Sequence, residues 1–418
     1  MVNYEQMCRG LGIPDGVDFG KEHWASSQAV LPGDGKIAFL EPGFVEGISQ
    51  TPISAEVRAA LVDALGAFHA SRELRCLAWH CHWLLFSEAK ESNVKIAEWP
   101  KLPGTLEERA PLFYAIVCLS GFPCVQAMHR KRNIPEAITS DTLEDLDLWI
   151  RHHKAHFGRW GFKEMNWLTH HLSGILVRLG RLQFCFEQYP SDFRGFRRRG
   201  QDRWILLAEA GLKIRSDGQF ADANGQAPHP SIRETRFLQE TGRASGSPVT
   251  PKGAVSAEIE TFDLEQWEEV LHKGDVVLGV HIPDIGPLVP STCDQSFRQA
   301  LHFFSEHFRD RPFTAFTCHS WLMDPQLEDH LPEKSNIVSF LERFHLHPLP
   351  AADHRQTYER VFGDPEISIE QAPQTTSLQK TIAHHARSGG HWRLGGGIIF
   401  PPEIQPSAVS ADFSAPPR

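Results

Sequence analysis

The apolar residues of this chain change period near Asn166, and that change sets what the chain can fold into. From Thr51 to Phe157 they recur at helical spacing: Val57, Leu61, Leu65 and Phe68 fall on one face, with Thr51 and Pro52 placed as N-cap and first helical residue. A second stripe runs through Leu74, Leu77, Cys81, Leu84 and Leu85, and a third from Glu107 to Leu119. The last runs from Thr142 to His156 through Leu143, Leu146, Trp149 and Ile150. Each stripe has to be buried against another, so the segment predicts a helical bundle or layer. After Asn166 the period falls to two. Ile175, Val177 and Leu179, then Leu182, Phe184 and Phe186 beyond Gly180, alternate as in a half-buried strand with a bulge or close approach at the glycine.

Trp204 to Ile214 reads as the next strand, and the Gly, Pro, Ser and Ala-rich stretch from Ser216 to Lys252 as loops or hairpins. A short helix is expected from Asp263 to Leu271. In Gly274 to Leu288 the run Val276, Val277, Leu278, Val280 reads as a buried strand that ends at His281, Pro283 and a Gly286-Pro287 turn. A helix from Asp294 to Phe308 presents Phe297, Leu301, Phe304 and Phe308 on one face. Pro312 to Leu322 is a further strand, followed by helices from Asp324-Pro325 and from the cap Ser335. Thr376 to Gln379 has capping-box form, and Gly389-Gly390 ends the helix it opens. Helices first and strands alternating with helices afterwards predict an α+β chain: a helical domain over 1–163 and a mixed β-sheet domain flanked by helices over 164–400. The tail Pro401 to Arg418, rich in Pro, Ser and Ala, is expected to be disordered.

The 418 residues carry a net charge of −10, which argues against nucleic acid and against anionic membrane surfaces as partners. The basic run Arg194, Arg197, Arg198, Arg199 is the exception, read as a solvated loop or a place for a phosphate-bearing ligand. The 8 cysteines include no Cys-x-x-Cys pair and several sit in apolar segments, a pattern of reduced thiols that suggests a cytoplasmic protein. The N-terminus lacks the form of a secretory signal, and no apolar run is long enough to span a bilayer. None of the 23 histidines falls in a His-Glu-x-x-His arrangement or a zinc-site spacing, so no metal is expected.

Two strand ends carry ionisable groups. His281 closes the first, and Cys318-His319-Ser320 closes or interrupts the second. Histidine titrates near pH 6.5, which suits a general base, and the end of a strand is where sheet proteins commonly bind ligands. Cys318 reads either as a small buried hydrophobe or as a nucleophile. If the strand persists, only one of His319 and Ser320 shares a face with the site. Asn336 either helps to cap its helix or reaches ligand. Arg178 and Arg181, flanking Gly180, either pair with acidic side chains or reach a phosphate or carboxylate.

RLGRLQF (178–184), VHIPDIGPL (280–288), the 296–308 helix, CHSWLMDPQL (318–327) and SNIVSFLERF (335–344) together resemble the two-domain acyltransferase-domain proteins. In these, a helical N-acyltransferase N-terminal domain precedes a GNAT-like C-terminal domain. The resemblance implies transfer of an acyl group from acyl-CoA, as co-substrate, to the amine of a small molecule or peptide. It places His281 as general base, backbone N–H groups near Gly279 and Val280 on the thioester carbonyl, and Ser320 or Cys318 as proton donor to the departing thiolate. Val280, Ile282, Gly286 and Leu288 fall where the donor would bind, and Arg178, Arg181, His319 and Asn336 where the substrate would. The GNAT phosphate loop reads [Q/R]-x-x-G-x-[G/A]. Here the matching stretch is Pro283-Asp284-Ile285-Gly286-Pro287-Leu288, in which two prolines lack N–H donors. Two other readings compete: a Cys318–His281 hydrolase of thioesters or esters, and a ligand-binding protein without catalysis.

Overall fold

The computed structural model describes residues 2–33, 36–48, 53–87, 99–223 and 231–401. The chain forms two compact units, one of Met1–Cys185 with Ile282–Ile285, the other of Phe186–His281 with the chain from Gly286 onward. The division falls inside one strand.

Among the described residues the first unit carries helices α1 (Tyr4–Leu11), α2 (Trp24–Ala29), α3 (Pro42–Gly47), α4 (Ala55–Ala70), α5 (Arg72–Phe86), α6 (Gly104–Arg109), α7 (Phe113–Ser120), α8 (Phe122–Lys131), α9 (Glu136–Leu143), α10 (Asp145–Phe157) and α11 (Met165–Leu172). Val57, Leu61, Leu65 and Phe68 all point into its core, as their spacing requires. The cap of α4 is Ser54, whose hydroxyl accepts the Val57 N–H, while Thr51 and Pro52 lie outside the described residues. The helix expected over Glu107 to Leu119 is two helices, α6 and α7. Pro111 separates them, because the residue before a proline is driven out of the helical region. The helix expected from Thr142 is likewise divided, between α9 and α10.

The long strand expected over Ile175 to Phe186 is a hairpin: β1 (Leu176–Leu179) pairs antiparallel with β2 (Leu182–Gln188), with Leu179 opposite Leu182. The two-residue turn Gly180-Arg181 needs a positive φ at its first position, and Gly180 supplies it at +64°. The glycine is a turn and not a bulge.

The second unit continues from β2 through β3 (Phe193–Arg198), β4 (Trp204–Ala208), β5 (Lys213–Arg215), β6 (Ile232–Glu234), β7 (Phe237–Glu240), β8 (Arg243–Pro248), β9 (Glu260–Asp263), β10 (Trp267–Leu271) and β11 (Val276–His281). It then runs through α12 (Pro290–His307), β12 (Phe316–Ser320), α13 (Gln326–His330), α14 (Asn336–Leu341), β13 (His345–Pro348), α15 (Arg355–Phe362), α16 (Ser377–Arg387) and β14 (Gly395–Ile399). One sheet has the order β2-β11-β12-β14-β13, and a second the order β10-β3-β4-β8-β7 with β9 beside β8. β11 and β12 are parallel, in register at Leu278↔Phe316 and Gly279↔Thr317, and α12 is the crossover between them. Phe297 of α12 packs on Phe316 at 5.3 Å between ring centroids, and Phe304 on Phe186 at 5.1 Å. The helix therefore covers one face of this sheet.

The segment from Asp263 to Leu271 is not a helix. Pairing of β10 with β3 overrides the helical propensity of its glutamates, and Glu268 and Glu269 meet Arg197 and Arg194 across the strands. The basic run thus lies largely on a strand. Arg194 bonds both Glu209 (2.6 Å) and Glu269 (2.8 Å), and Arg199 bonds Glu268 at 2.8 Å, so these charges are matched internally.

Candidate active site

Parallel strands place register partners on the same face, and residues two apart on one strand share a face. Gly279 and Thr317 are partners, so His281 and His319, two residues further along β11 and β12, lie on one side of the sheet. Glu187 of β2 joins them, its carboxylate accepting from His281 Nε2 at 3.0 Å. The carboxylate lies over Gly279, where an added Cβ would stand 2.2 Å from Glu187 Oε1. On the other flank His319 pairs with Gly396 of β14, and Gly396 pairs with His347 of β13. The His347 ring covers that glycine, 2.1 Å from where its Cβ would be. Two strand glycines thus make room for a row of four ionisable side chains: Glu187, His281, His319 and His347.

The row is graded in exposure. His281 and Glu187 are about one-third exposed (32% and 35%), whereas His347 is buried. Burial pushes His347 down to about 3, with the neighbouring His319 adding to the effect and the bond to the Pro348 carbonyl opposing it. His319 is lowered too, chiefly by burial, against the attraction of Glu187. Both inner rings are therefore neutral imidazoles at neutral pH. At the outer end, Glu187 accepts the Nε2–H of His281, which places the lone pair of the neutral ring on Nδ1. A carboxylate-held imidazole is the arrangement of a general base, because the carboxylate orients the ring and stabilises the imidazolium that forms.

His281 and His319 are brought together, and His319 is the residue of the His319-Ser320 pair that shares the face with His281. Cys318 and Ser320 alternate to the side of Phe316, which α12 covers. Cys318 is 3% exposed and burial pushes its thiol up to about 12. It is a core side chain whose thiol stays protonated at neutral pH. Ser320 Oγ accepts the Leu322 N–H at 3.2 Å in a local turn. Val280 is buried on the α12 side, Ile282 is half-buried, Gly286 is exposed and Leu288 is buried. Asn336 is the first residue of α14, and Ser335 does the capping, accepting from Val338 N–H at 3.1 Å. In the first unit Arg178 bonds Glu144 and the Gly180 carbonyl (3.3 Å), and Arg181 bonds the Pro283 carbonyl at 2.9 Å. Both arginines serve their own unit.

Sequence reasoning missed Glu187, Tyr189 and His347. The available signal was glycine inside apolar strands, at Gly279 in VVLGVH and Gly396 in GGGII, since such glycines mark close approach by another group. Among the described residues no three His, Cys, Asp or Glu side chains are placed to hold a metal ion. Nor is any described helix long and apolar enough to cross a membrane.

The family model for the GNAT-like C-terminal domain matches residues 176–399, and that for the N-acyltransferase N-terminal domain matches residues 48–174. Crystal structures of similar fold include an acyltransferase in complex with decanoyl-CoA, 24% identical over 95% of this chain and 99% of that one, with a TM-score of 0.62. An acyltransferase in complex with decanoyl-CoA and teicoplanin is 21% identical over 95% of this chain and 99% of that one, with a TM-score of 0.61. A third, with CoA and 10C-teicoplanin, is 21% identical over the same shares, with a TM-score of 0.60. At these identities the likeness is one of fold. No curated protein matches the sequence.

Proposed function

This chain belongs to the family defined by the GNAT-like C-terminal domain, and from that premise we propose that it is an acyltransferase carrying an acyl group from acyl-CoA to an amine of a small molecule or peptide. The observation that carries the mechanism is the Glu187–His281 pair at 3.0 Å, at the end of a strand and partly open to solvent. Structures of similar fold hold decanoyl-CoA, CoA and teicoplanin, which supports a CoA thioester as donor and a peptide-like or smaller acceptor.

A neutral amine attacks the thioester carbonyl carbon, the C–N bond forms, and the C–S bond breaks. His281 takes the amine proton at Nδ1 while Glu187 holds Nε2–H. The imidazolium then passes that proton to the departing thiolate, so the base is regenerated and no further donor is required. Ser320, on the α12 side of the sheet, has no part in this path. Donor binding is supported by α12, an 18-residue helix whose first turn holds no acidic residue and no side-chain cap, so that its dipole favours an anion there, with the Ser291 N–H as donor because Pro290 has none and Thr292 bonds the Val289 carbonyl. Pro283 and Pro287 remove two backbone donors from the preceding loop, which leaves more of the phosphate recognition to the helix end.

The test is thiol release and amide formation with a panel of acyl-CoA thioesters and amines. His281→Ala is expected to lower kcat about 10²–10⁴-fold, the range of a lost general base. Full activity in that variant would remove His281 from the mechanism.

A further inference from the structure

On the face that carries Glu187 and His281, two imidazole nitrogens are buried without a hydrogen-bond partner, Nε2 of His319 and Nε2 of His347. The Tyr189 hydroxyl, beside Ser191 but outside hydrogen-bonding geometry, is a third. The three rings are neighbours: His319 and His347 stand 5.8 Å apart between centroids, Tyr189 and His347 6.4 Å. A buried polar atom left unbonded is destabilising, so three in one place mark a position built for a guest.

The chain leaving each of these residues builds the walls around it. Tyr189 leads into Pro190 to Phe193, and His347 into Pro348, Leu349 and Pro350. With Phe220 and His319 these segments line a cleft of about 240 Å³. Its walls are mostly apolar. Asp192 stands at the rim, where Lys273 neutralises it at 2.7 Å. Of the three rings His319 lines the cleft itself, and burial keeps it a neutral imidazole at neutral pH.

We propose that this cleft is the acceptor subsite, taking a neutral hydroxyl- or amide-bearing group attached to the acceptor amine and holding it through His319 between apolar walls. The role as acceptor subsite rests on the acyl-transfer reading; the binding of such a group does not. A charged substituent would lose its hydration there without gaining a counter-charge, whereas a hydroxyl satisfies the orphaned nitrogen of His319.

Calorimetric titration of the full chain, with no thioester present, compares tyramine with phenethylamine, which differ by one hydroxyl. Tyramine is expected to bind about tenfold more tightly, the worth of one or two neutral hydrogen bonds. His319→Phe is expected to abolish the difference and His319→Gln to keep part of it. Phe220→Trp, which fills the cleft, weakens both amines while circular dichroism and Tm report an intact fold. Equal affinities, binding of neither amine, or a tyramine preference that survives in His319→Phe overturns the proposal. The two readings fail separately. A tyramine preference without amide formation from any thioester leaves the subsite standing and removes transfer; amide formation without the preference does the reverse.

Discussion

Within the row, function is divided by burial. His281 keeps contact with solvent and with Glu187, which suits proton transfer, while His319 and His347 are held neutral by desolvation and suit hydrogen bonding. Glu187→Gln keeps the shape but loses the charge that stabilises the imidazolium. It is expected to lower kcat with little change in the KM of the acyl donor, which steady-state kinetics would show. An unchanged kcat would dissociate Glu187 from the base. Cys318 is expected to resist alkylation in the native protein while the half-buried Cys8 and Cys124 react, as mass spectrometry of iodoacetamide-treated protein would reveal. In the first unit, His80 and His82 are pushed down to about 4 by burial. Between pH 6.5 and 4 the unfolded chain binds protons that the folded chain refuses. Their stabilisation is therefore complete above about pH 6.5 and is lost as pH falls towards 4, by about 1.4 kcal/mol per pH unit for each ring. Urea midpoints measured across that range should fall with pH, and more shallowly in His82→Gln.

At the scale of elements, the site depends on strands that carry glycine where their neighbours carry bulk. Gly279→Ala would press its Cβ against the Glu187 carboxylate, the movable end of a flexible side chain. The expected result is a loss of about tenfold or more in kcat with Tm nearly unchanged, since the carboxylate swings away from His281. Gly395→Ala meets the Met323 carbonyl oxygen, 2.0 Å from its Cβ position, and backbone cannot swing aside. That variant is expected to lose about 1–3 kcal/mol of stability by denaturant unfolding. The reverse ranking, with Gly279→Ala the less stable and the more active, would contradict the geometry described for β11 and β14. Local signals were legible where they rest on nearby residues: the Ser335 cap of α14, the Thr376–Gln379 capping box of α16 and the α4 stripe all stand as their spacing implies. They misled where the partner is remote. Asp263 to Leu271 read as helix, yet two arginines on β3 hold part of that segment as β10.

At the scale of the molecule, an acyl-CoA ligand at 100 times its Kd should add about 2.7 kcal/mol of stability and raise Tm more than a phosphate-free thioester with the same acyl chain at the same concentration. Equal shifts from both would mean that the CoA moiety is not recognised. The order of helical segment and sheet domain, the family resemblance, and His281 as a residue at the end of a strand were all legible in the sequence, because period, capping and motif are written in residues close together along the chain. The division of roles among the residues near His281 was not. Glu187 lies 94 positions from His281, and only the pairing order β2-β11-β12-β14-β13 sets it, His319 and His347 on one face while turning Cys318 and Ser320 to the other. Strand alternation is local, but the choice of neighbouring strand is made by the whole packed sheet, so the identity of the base's partner and of the neutral imidazoles beside it belongs to the tertiary structure alone.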